Sequence, residues 1–258
     1  MNIISYPLTK YILKAALRDK LILSLAALVI CVVSISIFVG SSVLIEADQA
    51  SLVFIASSIR LLAGISLILF TVFHIRRSFE SRDIEYLLSR PLSRVGFVLS
   101  HSLGLSLLAV LVGSAFSLGL YLMSQSIIDQ AGFLIWSLSL ICELIILVNA
   151  AFFFAMVLPS AISGALVTLM GYALCRLIGQ ILGIIHSTYP RNVLDEIMFP
   201  MVEATSFIIP RFDLYGQTSW LIYGNNDLEL LTLILFQAVT CSAIIICATI
   251  FDLARREF

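Results

Sequence analysis

The run Phe133–Leu158, FLIWSLSLICELIILVNAAFFFAMVL, holds 26 residues and a single charge, Glu143. As a helix it reaches about 39 Å at 1.5 Å per residue, more than the roughly 30 Å of a bilayer's hydrocarbon core. Backbone polar groups in hydrocarbon must be satisfied within their own segment, so a run of this kind is a helix. Outward from it lie five more windows of the same character: Leu21–Ile45, Leu52–Ile75, Val95–Met123, Ala161–Ile185 and Leu228–Phe251. A membrane β-barrel needs short alternating strands, and no such alternation occurs in the chain. The expected fold class is therefore all-α: a polytopic membrane protein of six transmembrane helices, forming one domain over residues 1–258.

Composition agrees. Of 258 residues, 60% are hydrophobic and 12% charged, and the mean hydropathy is +1.09. A soluble domain of this length cannot hide that much apolar surface. A net charge of −1 gives no basic footprint for nucleic acid. Cys31, Cys142, Cys175, Cys241 and Cys247 all fall in apolar runs without metal-ligand spacing, and read as small packing residues. The first span is too long for a signal-peptide core of about 7–15 residues, and no A-x-A site follows it.

Lysine and arginine orient the bundle. With the N-terminus in the cytoplasm, the inner side holds Lys10, Lys14, Arg18, Lys20, Arg76, Arg77, Arg82, Arg90, Arg94, Arg255 and Arg256. The outer side holds only Arg191 and Arg211. The positive-inside rule then places both termini in the cytoplasm, in a cytoplasmic (inner) membrane.

Three surface segments stand out. Pro7–Lys20 forms an amphipathic helix, with Lys10, Lys14 and Arg18 on one stripe and Leu8, Ile12, Ala15 and Ala16 away from it. It is either an interfacial helix or a simple positive anchor. The outer loop His186–Asp227 has helical spacing over Val193–Val202, broken by Pro200. Tyr189, Tyr215, Trp220 and Tyr223 are expected at headgroup level, on short helices that dip into the leaflet or on a small surface cap. Pro159–Ser163 is a tight hairpin on the inner side.

A fourth segment is Ser78–Arg94, SFESRDIEYLLSRPLSR. Glu80–Leu88 can form a helix of about two and a half turns. Pro91 pushes Arg90 toward extended geometry and ends it. Ser93 then offers a cap for the next span. Phe79, Tyr86, Leu87 and Leu88 supply apolar knobs, and Glu80, Arg82, Asp83, Glu85, Arg90 and Arg94 supply charges of both signs. A helix that touches only anionic lipid should carry mostly Lys and Arg on its polar face. The acids here favour docking to a partner over an interfacial helix that touches lipid alone.

The part Glu85–Arg94, EYLLSRPLSR, resembles the E-x-L-L-S-x-P-x-S-R run common in the first cytoplasmic loop of type-2 ABC export permeases. Six spans, both termini inside, an N-terminal interfacial helix and a long outer loop before the sixth span are similar to that family too. Within it, the chain looks most like permeases grouped with multicopper-enzyme maturation, such as the nitrous-oxide-reductase maturation type. It departs from the common pattern near Arg82, where many relatives carry glycine, and at His101, where they carry lysine. The resemblance implies that residues 78–94 are a coupling helix seated in a groove of a separate ATPase subunit, which holds the ATP and magnesium. It also implies a two-fold assembly, with a second copy or a related permease, close to the fifth span. Gly179 and Gly183 form a small-xxx-small pair on that span, a candidate dimer contact.

Arg60, Glu143 and Arg176 are ionisable residues inside spans. Each costs about 2.5–3.5 kcal/mol at a helix centre, so none is expected to face lipid unpaired. Counted from the span ends, all three sit roughly 12–15 Å below the outer edge. Glu143 is expected to pair with Arg176 or Arg60, or to join both in an Arg–Glu–Arg cluster, as structural glue or as a polar gate; separate snorkelling is the other reading. Gln180, one turn from Arg176, is placed with them. Asn149 and Gln237 are candidates for hydrogen bonds between helices.

The chain has no G-x-x-x-x-G-K-[ST], so it does not cradle ATP itself. It also lacks H-E-x-x-H and G-x-S-x-G, and His74, His101 and His186 are scattered. No cofactor, catalytic residue or metal site is assigned to it. The expected function is the permease subunit of an ATP-driven exporter, with membrane lipid, an ABC ATPase and a second permease as partners. The alternative is an ATP-independent membrane scaffold or channel component. An intramembrane enzyme centred on Glu143 needs a second catalytic group at that depth, where only arginines are available.

Overall fold

The structure is a computed structural model, and it describes residues 6–19, 21–42, 46–80, 93–124, 128–187, 210–224 and 227–255. These residues form α1 (Tyr6–Arg18), α2 (Leu21–Ser42), α3 (Ala47–Glu80), α4 (Arg94–Ser124), α5 (Gln130–Val157), α6 (Ala161–Ser187), α7 (Phe212–Tyr215), α8 (Trp220–Tyr223) and α9 (Leu228–Arg255). No strand occurs among them. Five helices, α3, α4, α5, α6 and α9, are long and apolar enough to cross a membrane. In α2 the apolar stretch described in full, Ser24–Phe38, is shorter. The chain is thus an all-α protein with the make-up of a multi-pass membrane protein.

Helix α5 is the hub. It packs against α3, α4, α6, α9 and both short helices, and Trp136, Leu140, Leu144, Val148, Ala151 and Ala155 are wholly buried along it. The apolar run that identifies the membrane class is also the run most enclosed by protein. By contrast α6 and α9 are peripheral. Their outer faces expose Ile162, Met170, Phe236, Val239 and Ile244, surface that water would penalise and lipid does not.

Local chemistry sets the element ends. Asp129 caps α5 by accepting from the Gly132 amide at 2.8 Å. Ser160 caps α6 by accepting from the Ser163 amide at 3.1 Å, which closes the tight hairpin. Ser93 caps α4 by accepting from the Gly96 amide at 3.0 Å, the role its position after Pro91 predicts. Ser36 and Ser51 exchange hydroxyl-to-carbonyl bonds of 3.1 and 3.3 Å across the α2–α3 hairpin.

Helix α1 forms as expected, with Leu8, Ile12, Ala15 and Ala16 buried and Lys10, Lys14 and Arg18 exposed. Ile12 fills the space left by Gly104 of α4, and the Thr9 hydroxyl donates to the Ser100 carbonyl at 3.5 Å. Helix α3 runs past the expected span end, Ile75, through Glu80. Its 34 residues reach about 51 Å, well beyond a hydrocarbon core of about 30 Å.

Two pairs of ring side chains are enclosed by protein. Tyr215 and Trp220 are buried inside the bundle, while Tyr223 is exposed. The Tyr215 hydroxyl donates to the Ile234 carbonyl at 3.0 Å, and Phe212 meets both Tyr172 and Tyr215 edge to face. Polar backbone at that depth is tolerated because protein, not lipid, surrounds it. His74 and His101 are buried too. His74 stacks on Phe70, and His101 sits between Phe97 and Phe152. The helical pattern of Val193–Val202, with Pro200 and Tyr189, lies outside the described residues.

Helix α8 reaches α5 because residue 132 is glycine. A Cβ there would overlap the Trp220 carbonyl group. Gly119 of α4, by contrast, faces open space. We expect Gly132→Ala to destabilise the purified protein by about 1–3 kcal/mol and Gly119→Ala to leave stability nearly unchanged. Thermal unfolding in detergent compares the two, and equal midpoints would contradict the packing.

Candidate functional site, a buried charge cluster

Three helices bring their intramembrane charges to one point. Arg60 of α3 donates from Nη1 to Glu143 Oε2 of α5 at 2.8 Å. Arg176 of α6 donates from Nη2 to Glu143 Oε1 at 2.9 Å. Of the expected arrangements, the Arg–Glu–Arg cluster is the one present. Arg60 and Glu143 have side chains 1% and 0% exposed, and Arg176 is 26% exposed. Two guanidiniums on one carboxylate leave a formal charge of +1, and its more accessible end is Arg176.

Neighbours complete the coordination. The Tyr172 hydroxyl donates to Glu143 Oε1 at 2.9 Å and accepts from Arg176 Nε at 3.0 Å. Arg60 Nη2 donates to the Trp136 carbonyl at 3.1 Å and to Ser139 Oγ at 2.9 Å. Its Nη1 also donates to the Tyr215 carbonyl at 2.5 Å, which ties the segment 210–224 to the cluster. Arg60 Cζ lies 5.0 Å from the centroid of the Trp136 ring, where the ring quadrupole favours a cation. Arg60 Nε is the one nitrogen of that guanidinium without a hydrogen-bond partner among the described residues.

The physics follows from this partner count. Removing two charges from water costs several kcal/mol per ion, and attraction repays it only when the remaining donors and acceptors are also satisfied. Arginine suits the Arg60 position because its planar fork serves four acceptors in different directions. A lysine would keep the charge and lose the geometry.

Segment 210–224 is held at further points. The Asp129 amide donates to the Leu221 carbonyl at 2.9 Å. Arg211 pairs with Asp213 at 2.9 Å, and Asp213 lies directly against Gly179 of α6. Asp213 thus meets one member of the glycine pair. Gly179 admits the chain's own loop, whereas Gly183 is exposed and faces open space. Gln180 is exposed and makes no bond to the cluster.

At the opposite end, Arg94 Nη1 donates to the Leu253 and Ala254 carbonyls of α9 at 3.2 and 3.0 Å. Arg76 donates to the Pro159 carbonyl of the α5–α6 hairpin and lies over Phe79. Arg77 meets Asp19 at 3.2 Å, and Glu80 is exposed. Arg82, Asp83, Glu85, Tyr86, Leu87, Leu88, Arg90 and Pro91 lie outside the described residues. Asn149 bonds across α5 and α4 to Ser102 and Ser106, while Gln237 Oε1 has no partner among the described residues. No grouping of three His, Cys, Asp or Glu fit for a metal occurs among the described residues.

Trp136, Ser139, Tyr172 and Tyr215 were not singled out for this cluster from sequence. Two carried a signal: Ser139 precedes Glu143 by four residues and Tyr172 precedes Arg176 by four, so each shares a helical face with its charge. Tyr215 contributes a backbone carbonyl, which leaves no mark in sequence. No family model matches the chain, and no curated protein matches it.

Replacing Glu143 with Gln leaves two arginines facing a neutral amide. We expect a loss of about 3–5 kcal/mol, and a larger one for Glu143→Arg, partly restored by adding Arg176→Glu. Unfolding in detergent reads all three, and a Glu143→Gln protein as stable as wild type would show that the cluster does not hold the bundle.

Proposed function

We propose that this chain is the permease subunit of an ATP-driven ABC exporter. It forms the substrate pathway as a dimer, and a separate ATPase chain drives it through residues 78–94. ATP and magnesium belong to that ATPase. In this reading α2 supplies a sixth span, both termini lie in the cytoplasm, and the membrane is the cytoplasmic one. The basic residues at one end of the bundle support the orientation, and the EYLLSRPLSR run supports the coupling role.

The observation that carries the reading is the continuity of α3. One unbroken helix, free of proline, runs from Arg60 in the charge cluster to Glu80 at the edge of the coupling segment. That is twenty residues, or about 30 Å. A packed helix moves as a body, so displacement at the elbow must be felt at Arg60. The elbow's other flank, α4, is tied through Arg94 to α9, and α3 is tied through Arg76 to the α5–α6 hairpin.

The mechanism follows. Closure of two ATPase subunits moves the elbow, and α3 shifts against α5. Arg60 is then drawn off the Tyr215 carbonyl, and segment 210–224 is released from the outer part of the bundle. The cluster acts as a gate held by hydrogen bonds, with Glu143 as its fixed centre. Export fits an apolar pathway suited to lipids, peptides, haem-like molecules or drugs.

The test is capture of the partner. Detergent-purified wild-type chain is expected to bring down a chain that carries a G-x-x-x-x-G-K-[ST] motif and hydrolyses ATP. Tyr86→Asp with Leu87→Asp should abolish both capture and ATP hydrolysis while leaving the unfolding midpoint unchanged. Undiminished capture by the double variant, or no ATPase with the wild type, would overturn the reading in favour of an ATP-independent scaffold or channel.

A further inference from the structure

A long apolar groove opens between α1, α2 and α4, with Ile59 of α3 at its floor. Its volume is about 580 Å³. Its wall on α4 runs from Leu108 to Met123, which is about 22 Å of helix and deeper than the roughly 15 Å of one leaflet's hydrocarbon. The lining is apolar throughout. Its rim is exposed at Leu17, Ile30, Leu111 and Met123. Gly119 lies in it with nothing within 4 Å of where a Cβ would stand.

At one end, the groove meets α1. Leu13 and Leu17 line it, while Lys10, Lys14 and Arg18 are exposed on the adjoining face of the same helix. Leu17 follows Lys14 by three residues and precedes Arg18 by one, so apolar wall and basic stripe share an edge. Asp19, the neighbouring acid, is held by Arg77. The groove therefore offers hydrocarbon depth capped by positive charge.

We propose that this groove is a binding site for one anionic phospholipid. An acyl chain lies along α4 past Gly119, and the phosphate of the headgroup sits against Lys14 and Arg18. Charge complementarity selects the anionic class: a zwitterionic lipid fills the same hydrocarbon volume but brings no net charge to the stripe. The site goes beyond the transport reading, and its test needs no ATPase, so either can fail alone.

The experiment places the full chain in nanodiscs of equimolar phosphatidylglycerol and phosphatidylcholine with matched acyl chains. Lipid retained after transfer to detergent is counted by native mass spectrometry. Wild type is expected to retain phosphatidylglycerol over phosphatidylcholine by about fivefold or more, the scale set by a basic side chain at an anionic surface. Lys14→Ala with Arg18→Ala should return the ratio to that of the bilayer with the retained number unchanged. Gly119→Trp should fill the groove and remove one retained lipid per chain, whatever its headgroup. A wild-type ratio equal to the bilayer's would overturn the site. So would a Gly119→Trp chain that keeps all its lipid, or one that loses self-association instead, since the groove would then belong to a second copy. Lys14 and Arg18 are exposed, so a preference that survives in their double variant overturns the proposal even if Gly119→Trp does not fold.

Discussion

Glu143 carries the constraint on which this bundle turns. A carboxylate that is wholly buried in an apolar helix must be surrounded by donors or lose its charge. Its two oxygens accept from Arg60, Arg176 and Tyr172. Those donors come from α3 and α6, on either side of α5, so satisfying one residue fixes three helices in register. Arg60 then has donors to spare, and the Tyr215 carbonyl takes one of them. The position of the irregular segment 210–224 is in this sense a consequence of where Glu143 lies.

Packing in the bundle uses a second device, the absence of side chains. Gly132 admits the backbone of α8, and Gly179 of α6 admits Asp213. Gly104 of α4 admits Ile12 of α1. Each close approach brings backbone or polar groups into a region without water, where they need partners from protein. The Asp129 amide, the Ser139 hydroxyl and the Arg60 guanidinium provide them. Polar cluster and glycine contacts thus solve one problem together, since neither places the loop without the other.

The two ends of the bundle differ in kind. One end is held by a buried network with little exposure. The other is held by arginines at helix ends, Arg76, Arg77 and Arg94, on carbonyls or an exposed acid. Contacts of the second kind exchange readily with water and contribute little each. Such an arrangement gives a stiff core with an adjustable end, joined by α3, and it is the mechanical basis on which the transport proposal rests.

Sequence alone determined the all-α class of fold and the long apolar helices that compose it. These follow from one-dimensional quantities: the length of apolar runs, the spacing of caps, and 1.5 Å of rise per residue. Arg60, Glu143 and Arg176 were legible as a cluster because unpaired charge is costly in hydrocarbon and their computed depths agree. Tertiary structure alone decided that Glu143 takes both arginines and that Gln180 turns away. It also showed Gly179 receiving the chain's own loop, and Tyr215 and Trp220 enclosed by the bundle. Those outcomes depend on azimuth around each helix and on backbone carbonyls brought in from a distant segment. Hydropathy and spacing carry neither quantity, because both arise only when separate helices have packed.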